Sequence, residues 1–131
     1  MKAQASLAVA PILLIEDEPS VTAFLRAALE RHGYAVANAA SGAEGLKMLT
    51  AGKYSGVISD IRMPGAVNGA EVHAWIQKNR PELCARIILI SGDTANSETQ
   101  AFLAQSGTPC IEKPFRVQHL LSVVEKTFGR P

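Results

Sequence analysis

Five short apolar runs, separated by stretches of helical periodicity, restrict what this sequence can fold into more than any other feature. They are "ILLI" at 12–15, "YAVA" at 34–37, "YSGVIS" at 54–59, "RIILI" at 86–90 and "PCI" at 109–111. Runs that are apolar at successive rather than alternate positions suit strands covered on both faces. Between them Val21, Phe24, Leu25, Ala28 and Leu29 share one helical face, as do Val72, Trp75 and Ile76, and later Val117, Leu120, Leu121 and Val124. Strands alternating with helices predict an α/β domain, with a parallel five-stranded sheet and helices on both of its faces.

Boundary residues agree with the periodicity. Ser41-x-x-Glu44 and Asn68-x-x-Glu71 have the form of capping boxes, and Gly33 and Gly107 suit helix C-termini. With 131 residues, 47% of them hydrophobic, the chain fits one domain, predicted over 11–131 behind a flexible leader at 1–10. Lys2 and the Ala-rich stretch after it superficially resemble a secretory signal, but the apolar part runs into Glu16 and Asp17 with no small-residue cleavage site. It is also shorter than the roughly 20 residues a membrane span needs. A cytoplasmic protein or domain is expected. The net charge of +1 is spread over scattered basic residues, which argues against a nucleic-acid surface. Cys84 and Cys110 read as small buried hydrophobes in a reducing compartment.

In open α/β sheets, ligands bind beyond the carboxyl ends of the strands. The first strand runs into Glu16, Asp17 and Glu18, the third ends at Asp60, the fourth at Ser91, and the fifth at Lys113 before Pro114. If the first and third strands are neighbours, each carboxylate pair at about 4 Å repels by roughly 4 kcal/mol at an effective dielectric near 20. One lysine cannot neutralise three such charges, so a proton is taken up or a divalent cation binds. Hard oxygen donors in a partly solvated cleft favour Mg²⁺. A carboxylate beside Mg²⁺, faced by a hydroxyl and an ammonium, is a site for receiving a phosphoryl group. Taken singly, Asp60 as a loop cap, Ser91 as a helix start and Lys113 as a solvated charge are the simpler readings; all at one edge, they favour the site.

On these residues the sequence resembles a response-regulator receiver domain, the phosphoaccepting module of two-component signalling. The matching segments are "ILLIEDEP", "ISDIRMPG", "ILISGD" and "IEKPF". The resemblance implies a flavodoxin-like, doubly wound sheet of order 2-1-3-4-5. It implies Asp60 as phosphoacceptor, Mg²⁺ on Glu16, Asp17, Asp60 and the backbone carbonyl of Arg62, Ser91 as switch hydroxyl, and Lys113 paired with the phosphoryl group. A cis Lys113–Pro114 bond belongs to the same pattern. So does a partner that is a histidine kinase or histidine phosphotransfer protein. The domain would then be a regulatory acceptor rather than an enzyme, although it assists its own phosphorylation and dephosphorylation. Output would pass through the surface of the fourth helix, fifth strand and fifth helix, and homodimerisation stays open. The stretch "RIILISGDTANSETQAFLAQSGTPCIEKPF" is most similar to receivers on the C-terminal side of hybrid sensor histidine kinases.

The sequence departs from that family in two places. Cys110 stands where a Tyr or Phe is usual, three residues before the lysine, which weakens an aromatic rotamer switch. The loop "DIRMPGAVNG" after the acceptor is one residue longer than usual. Arg62 and Asp93 each lie two positions beyond a site residue, and an ion pair there is expected to slow hydrolysis of the acyl phosphate; two solvated charges are the simpler alternative. His32, His73 and His119 lack metal-ligand spacing, Trp75 reads as a core anchor on the third helix, and Cys110 would need an exposed, low-pKa thiol to act as a redox sensor. A receiver-like scaffold that binds without phosphate is the competing function, motivated by Cys110. An aspartate-based phosphohydrolase or flavodoxin-like cofactor binder would need an Asp-x-Asp run or a Ser/Thr/Gly-rich loop at the first strand. Neither is in the sequence.

Overall fold

Side-chain alternation along the strands divides the interior into two cores, one on each face of the sheet. In the computed structural model, which describes residues 10–63, 65 and 67–131, Ile12, Leu14, Ile58, Ile88 and Ile90 point to one side. Leu13, Ile15, Val57, Ile87 and Leu89 point to the other. Both sets are almost entirely removed from water, as a sheet covered on both faces requires. The elements in chain order are β1 (Ile12–Ile15), α1 (Pro19–Arg31), β2 (Val36–Ala39), α2 (Gly42–Ala51), β3 (Gly56–Asp60) and α3 (Gly69–Asn79). A short 3₁₀ turn (Pro81–Leu83), β4 (Ile87–Ser91), α4 (Ser97–Ser106), β5 (Cys110–Glu112) and α5 (Val117–Phe128) follow. Residues 1–9 of the expected leader lie outside the described residues.

The strands form one parallel sheet of order β2-β1-β3-β4-β5, as the resemblance implies. Leu25 and Leu29 of α1 and Leu120, Val124 and Phe128 of α5 fill the first core. Leu49 of α2 and Val72 and Ile76 of α3 fill the second, with Phe102 and Leu103 of α4 only half-buried against it. The described helices include none long and apolar enough to cross a membrane.

Several expected boundaries shift. The second strand begins two residues later than the "YAVA" run, because Tyr34 is used differently: its hydroxyl donates to the Gly129 carbonyl at 2.6 Å. The box at Asn68 and Glu71 is complete. At α2 the Ser41 hydroxyl accepts from Glu44 N, but the Glu44 carboxylate reaches Ala40 N rather than that of Ser41. Asn96 caps α4 by accepting from Glu98 N and Thr99 N, a role the sequence pattern did not single out. Gly107 ends α4 with φ of 66°, where a side chain would be strained.

Two residues of the expected apolar stripes are not core. Phe24 is 43% exposed and Val117 37%. Ala27 and Ala28 are too small to close the space between α1 and α5, so these side chains line an open groove there, and Phe24 rests on Phe115 with ring centroids 5.8 Å apart. Trp75 is half-buried at the edge of the second core rather than an anchor inside it.

Gly69 is one of the positions where the fold leaves no room for a side chain. A Cβ there would lie 2.5 Å from the Asp60 carbonyl oxygen and 2.7 Å from Ile61 Cα. Gly69 N also donates to the Ile61 carbonyl at 2.8 Å, tying the start of α3 to the end of β3. Gly69→Ala is therefore expected to cost roughly 2 kcal/mol or more. Chemical denaturation would show it as a lower midpoint at unchanged m-value.

Candidate functional site

Strand order reverses at β1 and β3, and the crevice beyond their carboxyl ends is where the topology opens a site. The register pairs Ile15 with Ser59, so the next residues, Glu16 and Asp60, emerge side by side. Asp60 in turn sits opposite Ile90, one residue before Ser91, and Ser91 pairs with Glu112, one residue before Lys113. The pairing itself thus gathers the charged residues predicted from the sequence.

Glu16, Asp17 and Asp60 each offer a carboxylate oxygen within 4.8 Å of the others. Lys113 Nζ lies 2.7 Å from Asp60 Oδ2 and 3.4 Å from Glu16 Oε1, with Glu18 Oε1 at 3.9 Å. Asp60 and Glu16 are buried, 5% and 2% exposed, while Asp17 is half-buried and Glu18 lies at the rim. Among the described residues no buried side-chain polar atom lacks a partner.

Burial above all, with the neighbouring Asp60 carboxylate adding to it, raises the Glu16 carboxyl to about 7, against the Glu18 N–H and Lys113 that favour the charged form. Burial alone would lower the pKa of Lys113, but its hydrogen bond and charge interaction with Asp60, and those with Glu16, more than reverse that and hold it above its ordinary value. One ammonium stabilises three carboxylates incompletely. The donor set, all hard oxygens around a partly open cleft, fits Mg²⁺ or a similar divalent ion.

Ser91 is buried, and its Oγ accepts from the Asp93 N–H at 3.0 Å. Asp93 Oδ2 takes a hydrogen bond from Arg62 Nη1 at 2.7 Å, so the two residues form an ion pair at the mouth of the site. The Arg62 N–H also approaches Asp60 Oδ1 at 3.3 Å. The Lys113–Pro114 peptide is cis. Cys110 is half-buried at the edge of the second core, and burial, with the Glu112 and Asp60 charges adding to it, pushes its thiol up to about 11. Such a thiol stays protonated and is a poor redox sensor.

The three histidines fall outside the cluster: His32 pairs with Glu125, His73 meets Thr108 and Gln77, and His119 is exposed. Sequence reasoning missed Thr94, whose hydroxyl donates to the Glu112 carboxylate beside the site. The link joins positions 18 apart, and no local pattern announces it.

Among curated proteins, the chain is 40% identical over 120 residues to the transcriptional regulatory protein GlrR of Escherichia coli, covering 90% of this chain and 27% of that protein. It is 30% identical over 119 residues to the sensor kinase CckA of Brucella abortus, covering 89% of this chain but 12% of CckA. It is also 31% identical over 115 residues to the response regulator receiver protein CpdR of the same organism, covering 88% of this chain and 93% of CpdR. The chain spans less than half the length of several curated relatives, 43% of the Mycobacterium tuberculosis regulator TcrA among them. Of solved structures, a CheY-like receiver domain protein from Methanospirillum hungatei superposes with a TM-score of 0.81 at 26% identity, covering 92% of this chain and 94% of that one. The response regulator TrrA of Thermotoga maritima, in complex with Mg²⁺-BeF, gives 0.77 at 33% identity, covering 90% and 98%. The family model of the response regulator receiver domain matches residues 12–125. With the strand order, the clustered acids and the lysine in place, the chain belongs to the response regulator receiver domain family of two-component signal transduction.

Proposed function

We propose that this domain accepts a phosphoryl group on Asp60 from a phosphohistidine of a histidine kinase or phosphotransfer protein, in a reaction that depends on Mg²⁺. The observation that carries this reading is Lys113 Nζ at 2.7 Å from Asp60 Oδ2, in a cleft where Glu16 and Asp17 offer two further carboxylates. A lone pair of an Asp60 oxygen forms the new O–P bond while the P–N bond of the donor breaks, and the imidazole nitrogen leaves with the bonding pair. Lys113 orients Asp60 and then balances charge on the phosphoryl oxygens; the Ser91 hydroxyl supplies a hydrogen bond to one of them. Glu16, Asp17, Asp60 and the Arg62 carbonyl would hold the Mg²⁺, which neutralises charge on those oxygens when bound. That the related TrrA was crystallised with Mg²⁺-BeF supports the donor set.

Phosphorylation would shift a population between two forms of the α4/β5/α5 surface, and the cytoplasm is the compartment in which such a partner would be met. The scaffold reading keeps one observation in its favour, Cys110 at a position suited to an aromatic switch. Acetyl phosphate with Mg²⁺ separates the two. Mass spectrometry is expected to show one added phosphoryl group, lost on chelation with EDTA before labelling. No adduct from acetyl phosphate or from a kinase would leave the scaffold.

The Arg62–Asp93 pair is proposed to lie across the path of the water that hydrolyses the acyl phosphate. Its side chains are 61% and 41% exposed, so the bond itself is worth at most about 1 kcal/mol. The Arg62→Ala, Asp93→Ala double variant should therefore release phosphate up to about fivefold faster than the wild type. Equal release rates would discard the shielding role.

A further inference from the structure

The β4–α4 loop carries Ser91 at one end and is held from two sides. On one side Arg62 grips it through Asp93. On the other, the Thr94 hydroxyl donates to the Glu112 carboxylate, and Glu112 is fixed in β5 by its pairing with Ser91. Inside the loop the Asp93 N–H donates to Ser91 Oγ, which turns the hydroxyl oxygen back along the loop. Downstream, α4 offers little resistance to movement: Thr99 is its only fully buried residue, and Phe102 and Leu103 are half-buried. A loop whose helix is lightly packed takes its position from its polar links.

We propose that Thr94 and Glu112 are positioning residues that hold the β4–α4 loop, and through it Ser91, in the unphosphorylated arrangement. The inference rests on the phosphoacceptor reading of Asp60. Ser91 Oγ is engaged by the Asp93 N–H; on this proposal, turning it to a phosphoryl group on Asp60 would shift the loop relative to β5, and the Thr94–Glu112 link would oppose that shift. A contact made in only one of two states biases the equilibrium by its full worth. The bond is charge-assisted but exposed to water at Glu112, so its effect is modest. The link also explains how a residue outside the acidic cluster can set the readiness of the site.

The test measures the dissociation constant of beryllofluoride in saturating Mg²⁺, by titration calorimetry, for the wild type, Thr94→Val, Thr94→Ser, Glu112→Ala and the Thr94→Val, Glu112→Ala double variant. Thr94→Val and Glu112→Ala are expected to bind roughly three- to tenfold tighter than wild type. The double variant should gain no more than either single change, because both remove the same link. Thr94→Ser keeps the hydroxyl and should match the wild type. A residue with only a structural role would lower the melting temperature without tightening binding. Unchanged or weaker binding in Thr94→Val, or gains that add in the double variant, would overturn the proposal while leaving the acceptor role of Asp60 intact. Failure of the wild type itself to bind beryllofluoride would instead remove the phosphoacceptor reading, and this inference with it.

Discussion

Asp60→Asn is expected to abolish labelling by acetyl phosphate, lowering the rate by at least about two orders of magnitude. The amide is nearly the same size and can occupy the same place at the end of β3, but its oxygen carries no charge with which to attack phosphorus. It also loses the ion pair with Lys113 at 2.7 Å, the contact proposed to aim the acceptor. Loss of activity by unfolding can be told apart, because the change removes one of three crowded carboxylates. The variant should melt no lower than the wild type in metal-free buffer, since relief of repulsion offsets the lost pair. Intact protein mass after incubation with acetyl phosphate and Mg²⁺ reads the first effect, and calorimetry the second. An Asn variant that still gains a phosphoryl group would place the acceptor on another residue.

The sequence carried the sheet and the site with unequal clarity. The central strands β1, β3 and β4 were legible because both of their faces are buried and their positions are apolar up to the polar ends at Ser59, Asp60 and Ser91. Edge strands were less so: β2 has only its end residues fully buried, and the "YAVA" run placed it two residues early. Helix stripes at α1 and α5 marked Leu25, Leu29, Leu120 and Val124 correctly but also included Phe24 and Val117. Periodicity reports which residues share a face and says nothing of whether the neighbouring helix is close enough to cover it.

At the site, Glu16, Asp17, Asp60, Ser91 and Lys113 were legible because each ends its strand or follows it within two residues, and parallel pairing carries such residues to one edge. The direction of the Ser91 hydroxyl, the meeting of Arg62 with Asp93 and the link from Thr94 to Glu112 depend on loop geometry. The sequence suggested the second of these as an ion pair from position alone. It held no signal for the third, since Thr94 and Glu112 are ordinary solvent-facing residue types on separate elements.

Without metal, the stability of this domain should fall as pH rises from about 5 to 7.5, and Mg²⁺ should reverse that slope. Glu16 is responsible. Its carboxyl titrates near 7 in the folded protein and at 4.5 when free of the fold, so between those values the folded state holds the extra proton. A group whose folded pKa is raised contributes stability that is complete below 4.5 and lost as pH passes through 7. Integrated over that window the loss is about 3 kcal/mol at most. Lys113 adds no slope there, because Asp60 and Glu16 hold its pKa above the ordinary lysine range and it stays charged throughout. A divalent cation binds the ionised carboxylate, so below pH 7 its binding must displace the Glu16 proton, and affinity should fall by up to about tenfold per pH unit. Added Mg²⁺ therefore raises the melting temperature more at pH 8 than at pH 5.5, and EDTA removes the difference. Glu16→Gln replaces the titrating group by a neutral one of the same shape: the metal-free slope should flatten and the Mg²⁺ response shrink together. If the slope survives in that variant, the proton resides elsewhere, and the crowding of Glu16 against Asp60 is not what prepares this cleft for a cation.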